Sequence, residues 1–534
     1  MKKNAKQSII AGGLITSAGV FVAKFIGLFY AIPYNTLLDN TAYVAIYGNV
    51  FQIYNYLLNI SLAGFPFAIA TMVAKYYSFE DIKTTLLVKK LSLGIMASIG
   101  LIMMLGLLLF ATPLAKLTLP STIDESYLFA NKNGLMLLSA ALFLVPILSS
   151  YRGYYQGLKH MEVYALSQVL EQVVRVCFLL GASALLVYVF DMDNVFSLYM
   201  GVLSTSVSAI VAIIHLVIHD RKYSAEMRIR ALSQTIEPLE ERLVLKELCL
   251  LAFPYLLSAI LGYSDSLINT TFLPNGLPAH GYSADETMTI LSVINYGGLK
   301  LASIPMILAP GFSTAIIPYL TTAIAQNNKK LVAKYIRDCI DNVLYIAIPI
   351  CVCMMIFALP IYYVMFPPAD LNDLALCGSV MQWYAIDAFF NTVAPIFGSL
   401  MMAGGMMKQK LKNLCVFVLV KVVITYPMMY FFGYQGAFMA SYISLGVSIC
   451  LDAYYLSTRY HVKWKYTIRK FILMLISCLG IFVLAFVFDL LGMNQADGTR
   501  TMAFLQLALT GILSIAIYLG VSFALQLPQT IFKR

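Results

Sequence analysis

Tyr296-Gly-Gly-Leu-Lys-Leu-Ala-Ser-Ile-Pro305 lies inside an apolar run that extends from about Met288 to Ala325. A run of that length is enough to cross a bilayer. A lysine near mid-membrane costs about 2.5–3.5 kcal/mol on insertion scales, so it persists only where it faces protein, water or an anion. Lys300 therefore marks both a membrane span and a position with a task.

The composition agrees. Hydrophobic residues make up 60% of the 534 and charged residues 12%, against about 25% charged in a soluble domain. Such a chain cannot cover a water-facing surface, and it reads as an all-α polytopic membrane protein. The nine cysteines are scattered, with only Cys351 and Cys353 close together, which is neither a disulfide framework nor a zinc pattern. Lys2, Lys3 and Lys6 precede an apolar segment that contains Lys24 and lacks a small-x-small cleavage site. A retained first helix is expected there.

Runs long enough to span fall near 9–32, 43–74, 91–115, 134–151, 163–190, 195–219, 248–272, 288–325, 338–366, 376–403, 413–432, 436–457, 468–491 and 501–526. The sequence thus predicts about fourteen helices. Placing both termini in the cytoplasm leaves only Lys116, Lys132 and Arg500 outside, and Lys24, Arg175, Lys300 and Lys421 within runs. All the other Lys and Arg, of 36 in total, fall on cytoplasmic segments. That is the positive-inside pattern. The net charge of +10 is then a topology signal, and nucleic acid is not an expected partner.

Basic linkers divide the runs into an N-lobe (1–219), a cytoplasmic linker (220–247), a C-lobe (248–458) and a terminal helix pair (459–534). Ala63-Gly-Phe-Pro-Phe-Ala-Ile-Ala resembles Ala315-Ile-Ile-Pro-Tyr-Leu-Thr-Thr, and the stretch around Gly157 resembles that around Gly405. Both pairs lie about 250 residues apart, as two parallel six-helix repeats would require, and such repeats place a substrate site between the lobes.

Polar residues recur at helical spacing. The second run carries Asn49, Gln52, Tyr56 and Asn59 with Asn55 beside them. The eighth carries Ser292, Tyr296, Lys300 and Ser303, on one face of a regular helix. Such faces either hold helices together or line a wet cavity. Glu171 and Arg175 are four apart and can pair on one helix face. Asp265, Asp387 and Lys421 are further in-span charges. His215, His219 and Asp220 lie at an interfacial helix end, where no metal site is expected. No Gly-x-x-x-x-Gly-Lys-[Ser/Thr] occurs, so the chain carries no P-loop of its own. No nucleophile–base pair is embedded either. A transporter is expected, not an enzyme.

These residues resemble those of the multidrug/oligosaccharidyl-lipid/polysaccharide exporter superfamily. Within it, Ala23-Lys-Phe-Ile-Gly27 and Tyr296 to Pro305 are similar to segments of the MurJ-type lipid II flippases. Ala31-Ile-Pro-Tyr-Asn-Thr-Leu-Leu, Tyr151-Arg-Gly-Tyr-Tyr-Gln-Gly and Ser167-Gln-Val-Leu-Glu-Gln-Val-Val-Arg-Val176 are similar to the SpoVB/YtgP branch. Lys24 and Lys300 fall where that family places functional arginines, whereas Tyr30 stands near the position of a second arginine. The resemblance implies a bacterial plasma-membrane flippase for an undecaprenyl-diphosphate-linked cell-wall precursor. Lys24 and Lys300 would hold the diphosphate; Gln52, Asn55, Asn59, Tyr296 and Ser303 would complete the substrate site. Asp265, Lys421, Glu171, Arg175 and Asp387 would serve coupling or gating. Helices 13 and 14 would form a groove for the lipid tail. No cofactor is implied; coupling to Na+ or to membrane potential stays open, as does association with cell-wall synthesis proteins and membrane lipids. A flippase for another lipid-linked polysaccharide unit and a MATE-type cation or drug antiporter are the alternatives.

Overall fold

The computed structural model describes residues 26–27, 29–306, 316, 319–492 and 499–532. Lys24 lies outside the described residues. The described chain is helical, without a strand among those residues. In hydrocarbon each unpaired backbone amide is expensive, and a helix pairs its amides within its own segment.

Two compact units divide the chain, Met1–Leu267 and Ile268–Arg534. The first contains α1 (Ala31–Leu38), α2 (Thr41–Leu62), α3 (Phe65–Ser78), α4 (Ile82–Leu117), α5 (Glu125–Gly157), α6 (Met161–Ala184), α7 (Val195–Leu232), α8 (Glu241–Gly262) and the start of α9 (Ser264–His280). The second holds the rest of α9, then α10 (Ala284–Ser292), α11 (Gly298–Met306), α12 (Lys329–Ile356), α13 (Ala358–Met365), α14 (Leu374–Ala403), α15 (Met407–Tyr460), α16 (Lys465–Leu490), α17 (Arg500–Ala524) and α18 (Leu527–Phe532).

Local chemistry sets several helix starts. The Asn40 side chain accepts from the amides of Ala42 and Tyr43, and Asp81 accepts from that of Thr84. Ser283 and Glu286 form a capping box at α10. Each satisfies donors that the first turn leaves over. The outward faces are apolar: Leu109 and Phe110 of α4 are 78% and 60% exposed, which suits lipid and not water.

Among the described residues, eleven helices are long and apolar enough to cross a membrane, against fourteen runs in the sequence. The first run falls mainly outside the described residues, and the eighth does so in part. The runs 413–432 and 436–457 are two helices that meet at a sharp kink and are numbered together as α15, which doubles back on itself. Lys410 and Asp452, 42 residues apart, lie 2.7 Å from each other; a straight helix would hold them about 63 Å apart. The reversal is made at Gly433, with φ 59° and ψ −142°, a conformation open only to glycine. Much of 220–247 is helical, because α7 runs on to Leu232 and α8 begins at Glu241. Gln234 binds this bend back by donating to Asp81 at 2.9 Å.

The terminal pair packs within the second unit. Lys470 of α16 is 2.7 Å from Asp341 of α12. Tyr518 of α17 donates to the Tyr345 carbonyl at 2.9 Å. Arg500 donates to the Val364 carbonyl at 2.8 Å.

Gly433→Ala would add a Cβ 2.7 Å from the Tyr282 ring and force a residue with a side chain into this conformation. The variant is expected to lose about 1–3 kcal/mol of stability. Thermal unfolding in detergent reads this, and an unchanged midpoint would contradict it.

Candidate functional site

In the second unit the Lys300 segment is not a regular helix. Val293–Gly297 forms one π turn between α10 and α11. Such turns insert a residue into the helical register and are frequent at functional sites. The regular 4-4-3 face expected for Ser292, Tyr296, Lys300 and Ser303 is therefore offset between its first and last members. Ser292 and Tyr296 are buried, while Lys300 and Ser303 are part-exposed. Ser303 donates to the Lys300 carbonyl at 2.6 Å, which commits its proton to its own helix. The two glycines have a packing reason. A Cβ at Gly297 would meet the Tyr362 hydroxyl at 2.8 Å, and one at Gly298 would meet the Val293 carbonyl at 2.7 Å. Both distances are shorter than a carbon side chain tolerates, so the π turn and its neighbour require Gly-Gly here.

In the first unit the polar stripe of α2 divides by role. Asn49, fully buried, donates to the Thr118 carbonyl at 2.9 Å, which ties α2 to the end of α4. Gln52 is buried and its Oε1 accepts from Ser266 at 2.8 Å. Asn59 donates to the Asn55 carbonyl at 2.7 Å, and Asn55 itself is exposed. Tyr56 donates to the Ile260 carbonyl at 3.4 Å. Asp265 opens the first turn of α9.

Glu171 and Arg175 do pair, at 2.7 Å on α6, and a third group joins them. Arg152 of α5 places Nη2 2.9 Å from Glu171 and donates from Nε to Ser167 at 2.8 Å. The apolar run ending at 151 had put Arg152 in a cytoplasmic loop; instead α5 runs through it to Gly157 and its side chain is mostly buried. Lys89 and Lys410 depart from the loop reading in the same way. Lys89 of α4 is 2.5 Å from Asp220 of α7, which also accepts from Tyr155 at 3.0 Å. That pairing occupies the carboxylate beside His215 and His219. In α15, Asp452 accepts from Lys410 and Asn413, each at 2.7 Å. Residue type alone carried no signal for these partners, since each comes from another helix or the returning limb of α15.

Two further expected residues lie in the second unit. Lys421 is fully buried and donates to Ser441 across the α15 reversal. Asp387 of α14 accepts from Asn391 at 2.7 Å.

Apolar outer faces and buried ion pairs on long apolar helices define a multi-pass membrane protein. The chain belongs to the polysaccharide biosynthesis protein family, whose model matches residues 9–324. It is 25% identical to the lipid II flippase MurJ of Bacillus subtilis (strain 168), over 99% of this chain and 97% of that protein. Its fold is similar to a solved lipid II flippase MurJ in an inward closed conformation. The TM-score is 0.67 at 12% identity, over 96% of this chain and 99% of that one. It is also similar to an inward-facing multidrug resistance MATE family transporter of the MOP superfamily. There the TM-score is 0.66 at 14% identity, over 82% of this chain and 94% of the other.

Lys410 and Asp452 are 8% and 1% exposed, so removal of one charge strands the other. Lys410→Met is expected to cost about 3–5 kcal/mol, and Lys410→Met with Asp452→Leu markedly less. Thermal melts of the two purified variants decide this: equal losses would mean the pair does not hold the hairpin.

Proposed function

We propose that the chain is a flippase that carries an undecaprenyl-diphosphate-linked cell-wall precursor, lipid II first among them, from the cytoplasmic to the outer leaflet. The observation that carries this reading is the similarity to a lipid II flippase over 99% of the chain, with the family match beneath it. The physical problem is a diphosphate and glycan that cannot cross hydrocarbon unaided, since each unsatisfied polar group costs several kcal/mol.

In this proposal Lys300 and Lys24 hold the diphosphate, while Tyr296, Ser303, Gln52, Asn55 and Asn59 meet the remaining headgroup. Asn55, exposed on α2, is the amide with the greatest freedom to do so. Two six-helix lobes would rock about this site, both termini would lie in the cytoplasm, and helices α16 and α17 would leave the polyprenyl tail in lipid. The membrane potential supplies about 2.3 kcal/mol per charge per 100 mV, and inside-negative polarity favours outward movement of an anion. Lys421 would stand where a coupling cation is otherwise required, opposite Asp265, with Glu171, Arg175 and Asp387 acting in gating.

Lys300→Ala and Lys24→Ala should each reduce flux of fluorescent lipid II in proteoliposomes by at least about tenfold, the worth of a charge-assisted hydrogen bond, with normal protein levels. Wild-type flux in both would end the proposal. Flux of another lipid-linked polysaccharide unit, with none of lipid II, would select the alternative cargo. Wild-type flux should follow the membrane potential without Na+, and Lys421→Ala should make it Na+-dependent. A wild-type Na+ requirement left unchanged by Lys421→Ala would refute the role given to Lys421.

A further inference from the structure

The Arg152–Glu171–Arg175 cluster holds two guanidiniums against one carboxylate. It therefore carries a surplus positive charge inside the first unit. Arg175 lies midway along the continuous helix Met161–Val189, about 21 Å from its start, where an uncompensated charge is most costly. Among the described residues, the phenols of Tyr54, Tyr30 and Tyr47 are the other ionisable groups that act most strongly on Arg175. The first apolar run cannot supply the missing counter-charge, because no Asp or Glu precedes Asp39 in the sequence. Arg175 Nε is buried and has no acceptor, although the side chain as a whole is 24% exposed and so remains reachable.

A single Arg–Glu pair would suffice to tie α5 to α6. The second guanidinium exceeds that need. Arginine presents a planar fork of donors that matches phosphate oxygens, and Nε is one of the donors on the edge that grips them.

We propose that this cluster is an anion subsite for a phosphate or diphosphate group, with Arg175 the residue that touches the anion. Glu171 holds Arg152 and Arg175 on either side of itself and sets the residual charge at one unit, so that the anion binds and can leave again. The subsite lies wholly within the first unit, whereas Lys300 belongs to the second. It rests on the flippase reading only for the source of its ligand, a lipid-linked diphosphate or a free one.

The test titrates inorganic pyrophosphate into the purified full-length protein in nanodiscs and reads affinity from the shift in thermal unfolding. Arg175→Gln should weaken binding by at least about tenfold. Arg175→Lys, which keeps the charge and loses the fork, should weaken it less and guards against a folding failure. Glu171→Gln should act in the opposite direction and tighten binding, because the surplus charge doubles. Undecaprenyl diphosphate in the nanodisc should compete with pyrophosphate if the ligand is the lipid headgroup; binding of pyrophosphate without competition supports the same subsite with a soluble ligand. The inference is overturned if the Arg175 and Glu171 variants weaken binding alike or not at all, which is the behaviour of a structural clamp. It is also overturned if Lys300→Ala alone removes pyrophosphate binding, a result that would leave the flippase reading intact.

Discussion

A charge taken out of water needs a partner, and the interior of this protein is arranged around that constraint. Lys89 with Asp220 joins α4 to α7, Asp341 with Lys470 joins α12 to α16, and Lys410 with Asp452 closes the two limbs of α15. Each pair bridges segments far apart in the chain, so each converts an electrostatic cost into a choice of neighbour. Replacement of such pairs by apolar residues is often tolerated, whereas loss of one member is not. Their value here is in specifying which helices meet.

The same constraint explains why the Lys300 segment is unusual. Lys300 is part-exposed, next to a π turn that Gly297 and Gly298 permit by letting Tyr362 and the Val293 carbonyl approach closely. The backbone irregularity and the charge are adjacent in the chain.

Much of the architecture was legible beforehand. Spans could be placed because a bilayer imposes a minimum apolar length. The Glu171–Arg175 pair could be read because residues four apart on a helix are neighbours. Arg152 could not, since it reaches Glu171 from α5. The stripe of α2 shows the limit of periodicity as well. Asn49, Gln52 and Asn59 share spacing, yet the first binds the Thr118 carbonyl, the second Ser266 and the third its own helix.

The sequence by itself determined that the chain is helical and membrane-spanning and where most of its described apolar helices run. These follow from local length, hydropathy and charge. Only the tertiary structure decided which charges neutralise one another, that Gly433 reverses α15, that a π turn precedes Lys300, and that Arg152 leaves the Glu171 cluster with a positive excess. Those outcomes depend on distances between helices, and no spacing along one helix encodes the side chain that its neighbour presents.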